Sequence, residues 1–425
     1  MSEQSPPASA PLLPGYLSYS REGDLLIYGM PAVSVVQSTT PALVYCEERL
    51  QSNVDTIRRV LDDAWPLSTI KFALKSCYIK PVVESLFAAG CGLEVMSEVE
   101  FAIARQCGVP PEEVIATGLG RSDRFVEELV AFPPGLTVVD NIDDVDKLAD
   151  SGFAGAIGIR VALCDADVPW YAGSSSKVGA RYPDEFVPVI EHAIRRKLNV
   201  TAIHCHAVGR CRHIETYRLY AERLAEVVKQ IHDRLGFSFQ EVDIGGGFDT
   251  RMLMEREGVF VGDLIGVACS ALRQVPYDFK LTIEPGRYLV ADAAICLTKI
   301  VMRRDRGDAI DVIVDATTNF LIPRPNMEYP FIAVEGVGAD LVHCRVGDRT
   351  CVPGFLWTGP ISGEVDPGKW LGILNCGAYT SVYGELWAFE LPSIAWLSET
   401  GEAKEILGRK SQEALWRAAY SYNPL

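Results

Sequence analysis

The sequence lacks the features that would place it in a membrane, on a nucleic acid or among disulfide-stabilised secreted proteins. No apolar run reaches the roughly 18 residues of a membrane helix, and residues 1–15 lack the basic and apolar regions of a secretory signal. The net charge is −16 and no basic block stands out, which argues against binding to nucleic acid or anionic membranes. The twelve cysteines include no CxxC pair, as is typical of reduced thiols. We therefore expect a cytoplasmic protein with neither nucleic-acid nor membrane partners.

Short apolar strands alternate with amphipathic helices through the middle of the chain. Eight such strands within about 220 residues are typical of a (β/α)8 barrel of the TIM type. A doubly wound open sheet is the alternative. The predicted strands span 69–75, 93–96, 113–117, 136–140, 155–162, 200–206, 241–244 and 279–284.

The pattern changes near residue 291, where helical periodicity gives way to strand-like runs broken by glycine and proline. These runs are 294–301, 311–314, 331–334, 370–374 and 387–391. Two earlier strand-like pieces, 25–36 and 42–45, have no partner in the barrel, so we expect them to pair with the C-terminal β region. The predicted domains are an N-terminal segment at 1–45, a barrel at 46–290 and a β domain at 291–425.

Lys75 ends the first predicted barrel strand and is the first candidate for chemistry. Functional groups of such barrels gather at the C-terminal ends of the strands. Burial disfavours the charged form of an amine, and a lysine of this kind can form a Schiff base with a carbonyl compound or with pyridoxal phosphate. The alternative is that the amine simply extends into solvent.

Three further strand ends carry polar or glycine motifs. Gly245, Gly246 and Gly247 follow strand seven, where their N–H groups can bind an anion or merely form a flexible turn. The pattern is not GxGxxG, so it does not indicate a dinucleotide fold. Glu284 ends strand eight, either as a partner for a pyridine nitrogen or as half of a structural ion pair. Arg287 follows it and offers a planar fork to a carboxylate or phosphate.

Two histidines, His204 and His206, share one side of strand six and can both face the barrel interior. A flat imidazole beside an aromatic cofactor suits His206, whereas His204 suits a hydrogen-bonded position in the core. A metal would need a third ligand nearby, and none is evident, so we expect no metal site.

Together these stretches resemble the fold-type III pyridoxal phosphate (PLP) decarboxylases, the family of ornithine, arginine and diaminopimelate decarboxylases. The resemblance extends from about residue 25 to 391 and is greatest, through the TPALVY stretch at 40–45, to the diaminopimelate branch. It implies a PLP-binding barrel with a C-terminal β domain, the alanine racemase-like fold, and a homodimer with shared active sites. The matching motifs are FALKS, GCGLEVMSEVE at 90–100, SKVG at 176–179, HCH, DIGGGF, EPGR, the region 314–329 and GAY at 377–379.

The resemblance also implies roles for individual residues. Lys75 would hold PLP as an aldimine, His206 would stack on its ring, and Glu284 would hold the pyridinium proton. Decarboxylation of an amino acid would proceed through an external aldimine and a quinonoid intermediate. The other implied positions are Gly245, Gly246, Gly247 and Tyr379 at the phosphate, Arg287 at phosphate or a substrate carboxylate, and Arg324 and Tyr329 in the substrate pocket.

The departures from the family pattern collect at the substrate end. Where the family has cysteine and then an acid in a stretch supplied by the neighbouring subunit, this chain has Ser362 and Gly363, so Ser362 replaces the cysteine and Glu364 or Asp366 the acid. After His206 the usual serine is missing and Arg210 is added. We therefore expect PLP chemistry on a non-standard diamino or carboxylated diamino acid similar to diaminopimelate. Arg210 and Arg324 would suit an extra carboxylate.

Two other functions fit the same barrel. Amino-acid racemases of this type resemble the chain at the lysine but usually place arginine against the ring nitrogen, so Glu284 favours decarboxylation. A non-catalytic PLP-binding homologue would have no need to retain the lysine, glycine loop, glutamate and tyrosine together.

Overall fold

The structure is a computed structural model that describes residues 13–36, 40–163, 177–307, 309–321, 328–338 and 340–420. The chain divides into two compact units, Gln51–Leu289 and Met1–Leu50 together with Val290–Leu425. We call them the barrel unit and the β unit. The predicted division at 45/46 and 290/291 into separate domains stays a prediction.

The first elements form a small sheet and one strand of a larger sheet. β1, β2 and β3 pair with each other as an antiparallel three-stranded sheet, and β4 pairs elsewhere. The predicted continuous strand 25–36 is wrong, because a turn with positive φ at Tyr28 and Gly29 interrupts it. The elements are β1 Leu17–Tyr19, β2 Leu25–Ile27, β3 Met30–Pro31, α1 Ala32–Val35 and β4 Ala42–Cys46.

The barrel unit confirms the predicted alternation of strands and helices. Eight parallel strands of the described chain close in the order β9-β11-β12-β13-β5-β6-β7-β8, and β8 pairs with β9 to complete the circle. The elements are α2 Glu47–Ala64, β5 Ser68–Ala73, α3 Lys80–Ala88, β6 Gly92–Val95, α4 Glu98–Gln106, β7 Val114–Ala116, α5 Asp123–Ala131, β8 Leu136–Val139, α6 Ile142–Asp150, β9 Ala156–Ala162, β10 Ala180–Arg181, α7 Phe186–Arg195, β11 Asn199–Cys205, α8 Ile214–Leu235, β12 Glu241–Asp243, α9 Arg251–Arg256, α10 Val261–Leu272, β13 Lys280–Ile283 and α11 Arg287–Val290.

Local sequence explains where the barrel helices begin and end. Ser97, Ser122 and Asn141 each accept a hydrogen bond from a backbone N–H in the first turn of α4, α5 and α6. The long helix α8 ends at Gly236, whose left-handed φ of 62° a residue with a side chain adopts at a cost. These signals keep the loops short and direct each chain segment back to the next strand.

The first barrel strand is shorter than predicted. β5 ends at Ala73, and Lys75 lies in a 3-10 turn, Leu74–Ser76, rather than on the strand. The Ala73 N–H donates a 3.3 Å hydrogen bond to the Pro285 carbonyl. Ser76 Oγ donates a 2.7 Å hydrogen bond to the Ala73 carbonyl, which tightens the turn. The turn therefore places the lysine directly beyond the C-terminal end of the strand.

The β unit is built around a sheet in the order β18-β17-β15-β14-β4-β20-β21, with β19 pairing β14 and β16. β4 lies between β14 and β20, so the N-terminal and C-terminal parts of the chain share one sheet. The predicted strand 387–391 is wrong, since the strand begins only at Ser393. The remaining elements are β14 Ala294–Asp305, β15 Ile310–Val314, β16 Phe331–Ala333, β17 Leu341–Asp348, β18 Trp357–Ser362, β19 Trp370–Ile373, β20 Ser393–Leu397, β21 Ala403–Leu407 and α12 Arg409–Tyr420.

The described residues show two features that concern membrane crossing and thiol chemistry. Among them, no helix combines the length and apolar character needed to cross a bilayer. Within the same ranges the cysteines form no disulfide bonds, and all except Cys351 are buried.

Candidate active site

Lys75 lies beside a buried acid at the C-terminal end of the barrel strands. Its Nζ forms an ion pair with Glu94 Oε2, and the Thr117 hydroxyl donates to the other oxygen of Glu94. The Glu94 side chain is 2% exposed, whereas that of Lys75 is 36% exposed. The amine is therefore held at the mouth of the barrel, open on one side, by an acid that cannot move away.

The three glycines form a loop that is anchored to both neighbouring strands. The Glu284 N–H donates to the Gly245 carbonyl at 2.7 Å. Gly245 N–H donates to Asp243 Oδ1 at 2.8 Å, and Gly246 N–H donates to His206 Nδ1 at 3.1 Å. The N–H groups of Gly245 and Gly246 can thus bind an anion only if their hydrogen bonds to Asp243 and His206 are broken.

None of the three glycine positions has room for a side chain. A Cβ would lie 2.5 Å from His206 Nδ1 at Gly245, 2.2 Å from the Glu284 carbonyl oxygen at Gly246 and 2.5 Å from the Val208 carbonyl oxygen at Gly247. Gly245 and Gly247 also have positive φ, 61° and 88°. Glycine is thus required here by both space and backbone conformation.

His206 follows the end of β11 and is a neutral imidazole. Burial, followed by the positive charges of Arg160 and Lys75, lowers its pKa to about 3. Because Nδ1 accepts the Gly246 N–H, the ring proton lies on Nε2. An uncharged, fixed ring beside the glycine loop is suited to contact another flat ring.

Glu284 lies at the end of β13 in contact with His204. His204 Nε2 is 3.1 Å from Glu284 Oε2, and the two residues are 1% and 5% exposed. The other carboxylate oxygen, Oε1, is buried and accepts no hydrogen bond from an N–H or hydroxyl group of the described residues. Burial alone would raise the pKa of Glu284, but the hydrogen bond from His204 and the positive charge of Lys75 outweigh it, and the pKa falls to about 2. Glu284 is therefore an ionised acid with one unused oxygen.

A second buried acid, Asp243, lies next to Glu284. Burial and then the charge of Glu284 raise the pKa of Asp243, and a hydrogen bond between the two carboxyl groups acts in the same direction. One donor atom each of His204, Asp243 and Glu284 lie within 4.8 Å of one another. Asp243 and Glu284 are thus potential ligands near His204 that the sequence did not indicate, whereas His206 is not part of this group, and the expectation of no metal site stays a prediction.

Arg287 begins α11 and lies near another buried acid, Asp249. The distance between Arg287 Nε and Asp249 Oδ1 is 4.0 Å, and Arg212 Nε is 3.2 Å from Oδ2. Burial raises the pKa of Asp249, although Arg287, Arg212 and Arg210 oppose this effect. Two guanidinium groups thus lie near one carboxylate beside the glycine loop, and the charge of Arg210 acts on the same carboxylate.

The other predicted site residues lie in the β unit. Tyr379 has a positive φ of 60° and its ring stacks on Tyr383 at 6.0 Å, and Tyr329 is buried. Ser362 ends β18, where its hydroxyl donates to the Gly338 carbonyl, and Glu364 forms a 2.8 Å ion pair with Lys369. Arg324 and Ser176, the first residue of the SKVG motif, lie outside the described residues.

The sequence did not single out Glu94, Thr117, Asp243 or Arg160 as site residues. Glu94, Asp243 and Arg160 are ionisable residues within otherwise apolar strands, at or near the C-terminal ends of β6, β12 and β9. Thr117 follows β7 directly. A charged residue in such a strand is costly without a partner, and this was the available signal.

Comparison with known proteins agrees with this arrangement. Residues 49–291 match the family described as pyridoxal-dependent decarboxylase, pyridoxal binding domain. The diaminopimelate decarboxylase of Aquifex aeolicus is 28% identical over 424 residues, which covers 94% of this chain and 96% of that protein. The diaminopimelate decarboxylase structure from M. jannaschi superimposes with a TM-score of 0.83 at 18% identity, over 96% of this chain and 98% of that one. The Helicobacter pylori enzyme complexed with L-lysine gives 0.78 at 20% identity, over 91% and 99%.

The chain therefore belongs to the fold-type III pyridoxal-dependent decarboxylases, the family that includes the ornithine, arginine and diaminopimelate enzymes. It is a PLP-dependent carboxy-lyase, and the resemblance seen in its motifs is confirmed.

Proposed function

We propose that the enzyme decarboxylates a diamino or carboxylated diamino acid similar to diaminopimelate. The observation that carries the proposal is the ionised Glu284 carboxylate, whose Oε1 is buried and accepts nothing from an N–H or hydroxyl group of the described residues. Buried acceptors are normally satisfied, so an unused oxygen at this position requires a donor. The ring N–H of protonated PLP is such a donor, and the residues present fit the cofactor.

Lys75 is the proposed attachment point for the cofactor. Its amine must lose a proton before it can attack a carbonyl, and Glu94 is the acid in contact with it. A carboxylate at this distance can accept that proton and return it, while Thr117 keeps the carboxylate oriented. The burial of Glu94 agrees with this role, because a side chain that is already fixed needs little further ordering before it accepts the proton.

The glycine loop and His206 are the proposed seat of the phosphate and the ring face. Glycine at 245–247 allows the backbone to approach an anion closely, and Tyr379 is proposed to add its hydroxyl. His206, neutral and held by Gly246 N–H, can stack on a ring without repelling its protonated nitrogen. Arg287 is proposed to bind either the phosphate or a substrate carboxylate.

Bound PLP supplies an electron sink for the charge left on Cα when the substrate carboxylate departs as CO2. The protein contributes orientation and electrostatics. Glu284 keeps the ring nitrogen protonated, which deepens the sink. A racemase needs a weaker sink, so an ionised carboxylate at this position favours loss of CO2 over loss of the Cα proton.

Substrate recognition is proposed to involve Arg324, Tyr329 and Glu364, with Ser362 in the position from which Cα is protonated. Arg210 follows His206 and has a positive φ of 50°, a conformation that costs energy outside glycine. Its positive charge acts to lower the pKa of Asp249, which lies near Arg287. This concentration of guanidinium groups supports a substrate with a second carboxylate.

We further propose a cytoplasmic homodimer in which the active sites are shared. Exposed apolar side chains in the β unit support an interface, among them Leu341 at 48%, Phe355 at 43% and Trp387 at 41%. Reduced, mostly buried cysteines in the described segments support a reducing compartment.

The test is release of CO2 from a panel of amino acids by the PLP-reconstituted enzyme. The panel contains meso-diaminopimelate, ornithine, lysine, arginine and carboxylated diamines. We expect CO2 from at least one diamino acid, with a preference for those carrying a second carboxylate, and Arg210→Gln should weaken that preference. Exchange of the Cα proton with solvent deuterium without CO2 release would instead indicate a racemase. If the enzyme catalyses neither reaction with any member of the panel, the proposal is contradicted.

A further inference from the structure

We propose that His204 is a positioning residue that fixes the Glu284 carboxylate, so that Oε1 is presented to the ring nitrogen of the bound cofactor. The inference rests on the proposed function of Glu284 and assigns a task to a residue that the sequence suggested only as a packed core histidine. His204 itself does not contact the cofactor in this scheme. It acts through the acid.

The backbone geometry places His204 and Glu284 on facing parts of the barrel interior. His204 lies on β11, in register with Asp243 on β12, and β12 pairs with β13, which ends before Glu284. His204 Nε2 is 3.1 Å from Glu284 Oε2. Both side chains are almost fully buried, so no bulk water competes for this hydrogen bond.

The surroundings of the other ring nitrogen, Nδ1, indicate that His204 is the donor in this hydrogen bond. His204 Nδ1 is buried and has no hydrogen-bond partner among the described residues. A proton on Nδ1 would be an unsatisfied buried donor, which is costly, whereas a lone pair there costs less. The imidazole therefore carries its proton on Nε2 and donates it to Glu284 Oε2.

This donation leaves Glu284 with a single available oxygen. The Glu284 backbone is held by its N–H donation to Gly245, and Oε2 is occupied by His204. Oε1 remains, and no N–H or hydroxyl group of the described residues donates to it. Without the His204 donor, the carboxylate loses one of its anchors and can turn further toward Asp243, with which it already shares a hydrogen bond.

Loss of His204 should also weaken cofactor binding through the pKa of Glu284. Burial raises the pKa of Glu284 and His204 is the strongest opposing influence. Removal of His204 therefore shifts Glu284 toward its neutral form. A neutral acid no longer attracts a protonated ring nitrogen, so the cofactor would be held less tightly.

The experiment measures the dissociation constants of PLP and of its 1-deaza analogue, which has C–H in place of the ring nitrogen. Wild type, His204→Phe and His204→Gln are compared as full-length apoproteins. Phenylalanine keeps a ring of similar size but donates nothing, whereas the glutamine amide restores a neutral N–H donor. Thermal unfolding of the apoproteins shows whether each variant is folded.

We expect His204→Phe to weaken PLP binding by about tenfold to a hundredfold, the effect of one hydrogen bond to a charged group. Binding of the deaza analogue should be unchanged within about twofold, since it has no ring N–H, and His204→Gln should recover most of the PLP affinity. Glu284→Gln should show the same selective loss, and if His204→Phe does not fold, His204→Asn takes its place, because its shorter amide does not extend as far as Nε2 of the imidazole.

Equal loss of affinity for both ligands in His204→Phe would show that His204 only fills space, and it would overturn this inference while leaving the proposed function intact. An unaltered PLP affinity would overturn it as well. A wild-type protein that binds no PLP would contradict the proposed function itself, and with it the role of His204.

Discussion

Lys75 Nζ is paired with Glu94 Oε2 at the open end of the barrel, and Glu94 is in turn held by the Thr117 hydroxyl. The pair joins a partly exposed amine to a fully buried acid. Such an arrangement is costly to maintain for stability alone, because burial of the carboxylate removes its hydration. A function for the Lys75 amine explains why this cost is tolerated.

Lys75→Ala should abolish the visible absorbance that the wild type acquires with PLP and should abolish CO2 release. Without the amine no covalent attachment forms, although we expect the glycine loop and Glu284 to bind the cofactor still. The matched control is Lys80→Ala, which removes a lysine that is 63% exposed and forms a 3.6 Å pair with Glu84. The absorption spectrum of each PLP-reconstituted variant decides the matter, and a retained visible band in Lys75→Ala would contradict the role.

Gly246→Ala should either fail to fold or lose PLP binding, because its Cβ would lie 2.2 Å from the Glu284 carbonyl oxygen. The clash involves backbone and cannot be relieved by a rotamer change. Gly266→Ala within α10 is the control, since nothing lies within 4 Å of that Cβ. This control should gain stability by up to about 1 kcal/mol, since alanine favours the helix over glycine. Thermal unfolding and PLP titration report both effects, and wild-type behaviour of Gly246→Ala would refute the close approach.

The barrel and the clustering of its polar strand ends were predictable from the sequence, because each strand end in a parallel barrel faces the same rim. Lys75, His206, the glycine loop and Glu284 could all be found in this way. Glu94 was not singled out, because its importance depends on pairing with a lysine 19 positions away across two strands. Side-chain orientation across neighbouring strands is not encoded in the local pattern.

The β unit was harder to predict for a different physical reason. β17, β18 and β21 were not predicted, and 387–391 was predicted as a strand although it contains none. Strands in such a region are selected by cross-strand partners rather than by intrinsic preference. Ser393 continues a ladder beside β4, and this pairing, which depends on a segment some 350 positions earlier, decides where the strand begins.

A shared active site predicts complementation between two impaired variants. Lys75→Ala lacks the amine, and Glu364→Ala lacks an acid that we expect to reach the neighbouring subunit's site. After dissociation and reassociation of an equal mixture, about one quarter of the sites should be intact, because half of the dimers are mixed and each has one native site. Recovery of CO2 release in the mixture, absent from Lys75→Ala mixed with itself, is the expected result. A monomer in light scattering would contradict the dimer.

Glu100 predicts a pH-dependent stability of the ligand-free protein. Its Oε2 accepts the Met96 N–H at 2.8 Å at the start of α4, and burial raises the pKa of this carboxyl to about 7. A carboxyl with a raised pKa contributes fully to stability below its unfolded value of about 4.3, and this contribution is lost as the pH rises through 7. Glu100→Gln keeps an oxygen for the Met96 N–H and never ionises.

The Glu100→Gln variant should therefore gain stability relative to wild type between pH about 4.3 and 7, by on the order of 2–3 kcal/mol at the upper end. The difference should level off above pH 7. Thermal unfolding midpoints of both apoproteins across this range give the comparison, and Glu127→Gln on the exposed face of α5 is the control for loss of a carboxylate charge. A constant difference between Glu100→Gln and wild type at every pH would mean that Glu100 does not change its protonation in this range. The hydrogen bond to Met96 would then have to be made by an ionised carboxylate, which contradicts the effect of burial argued here.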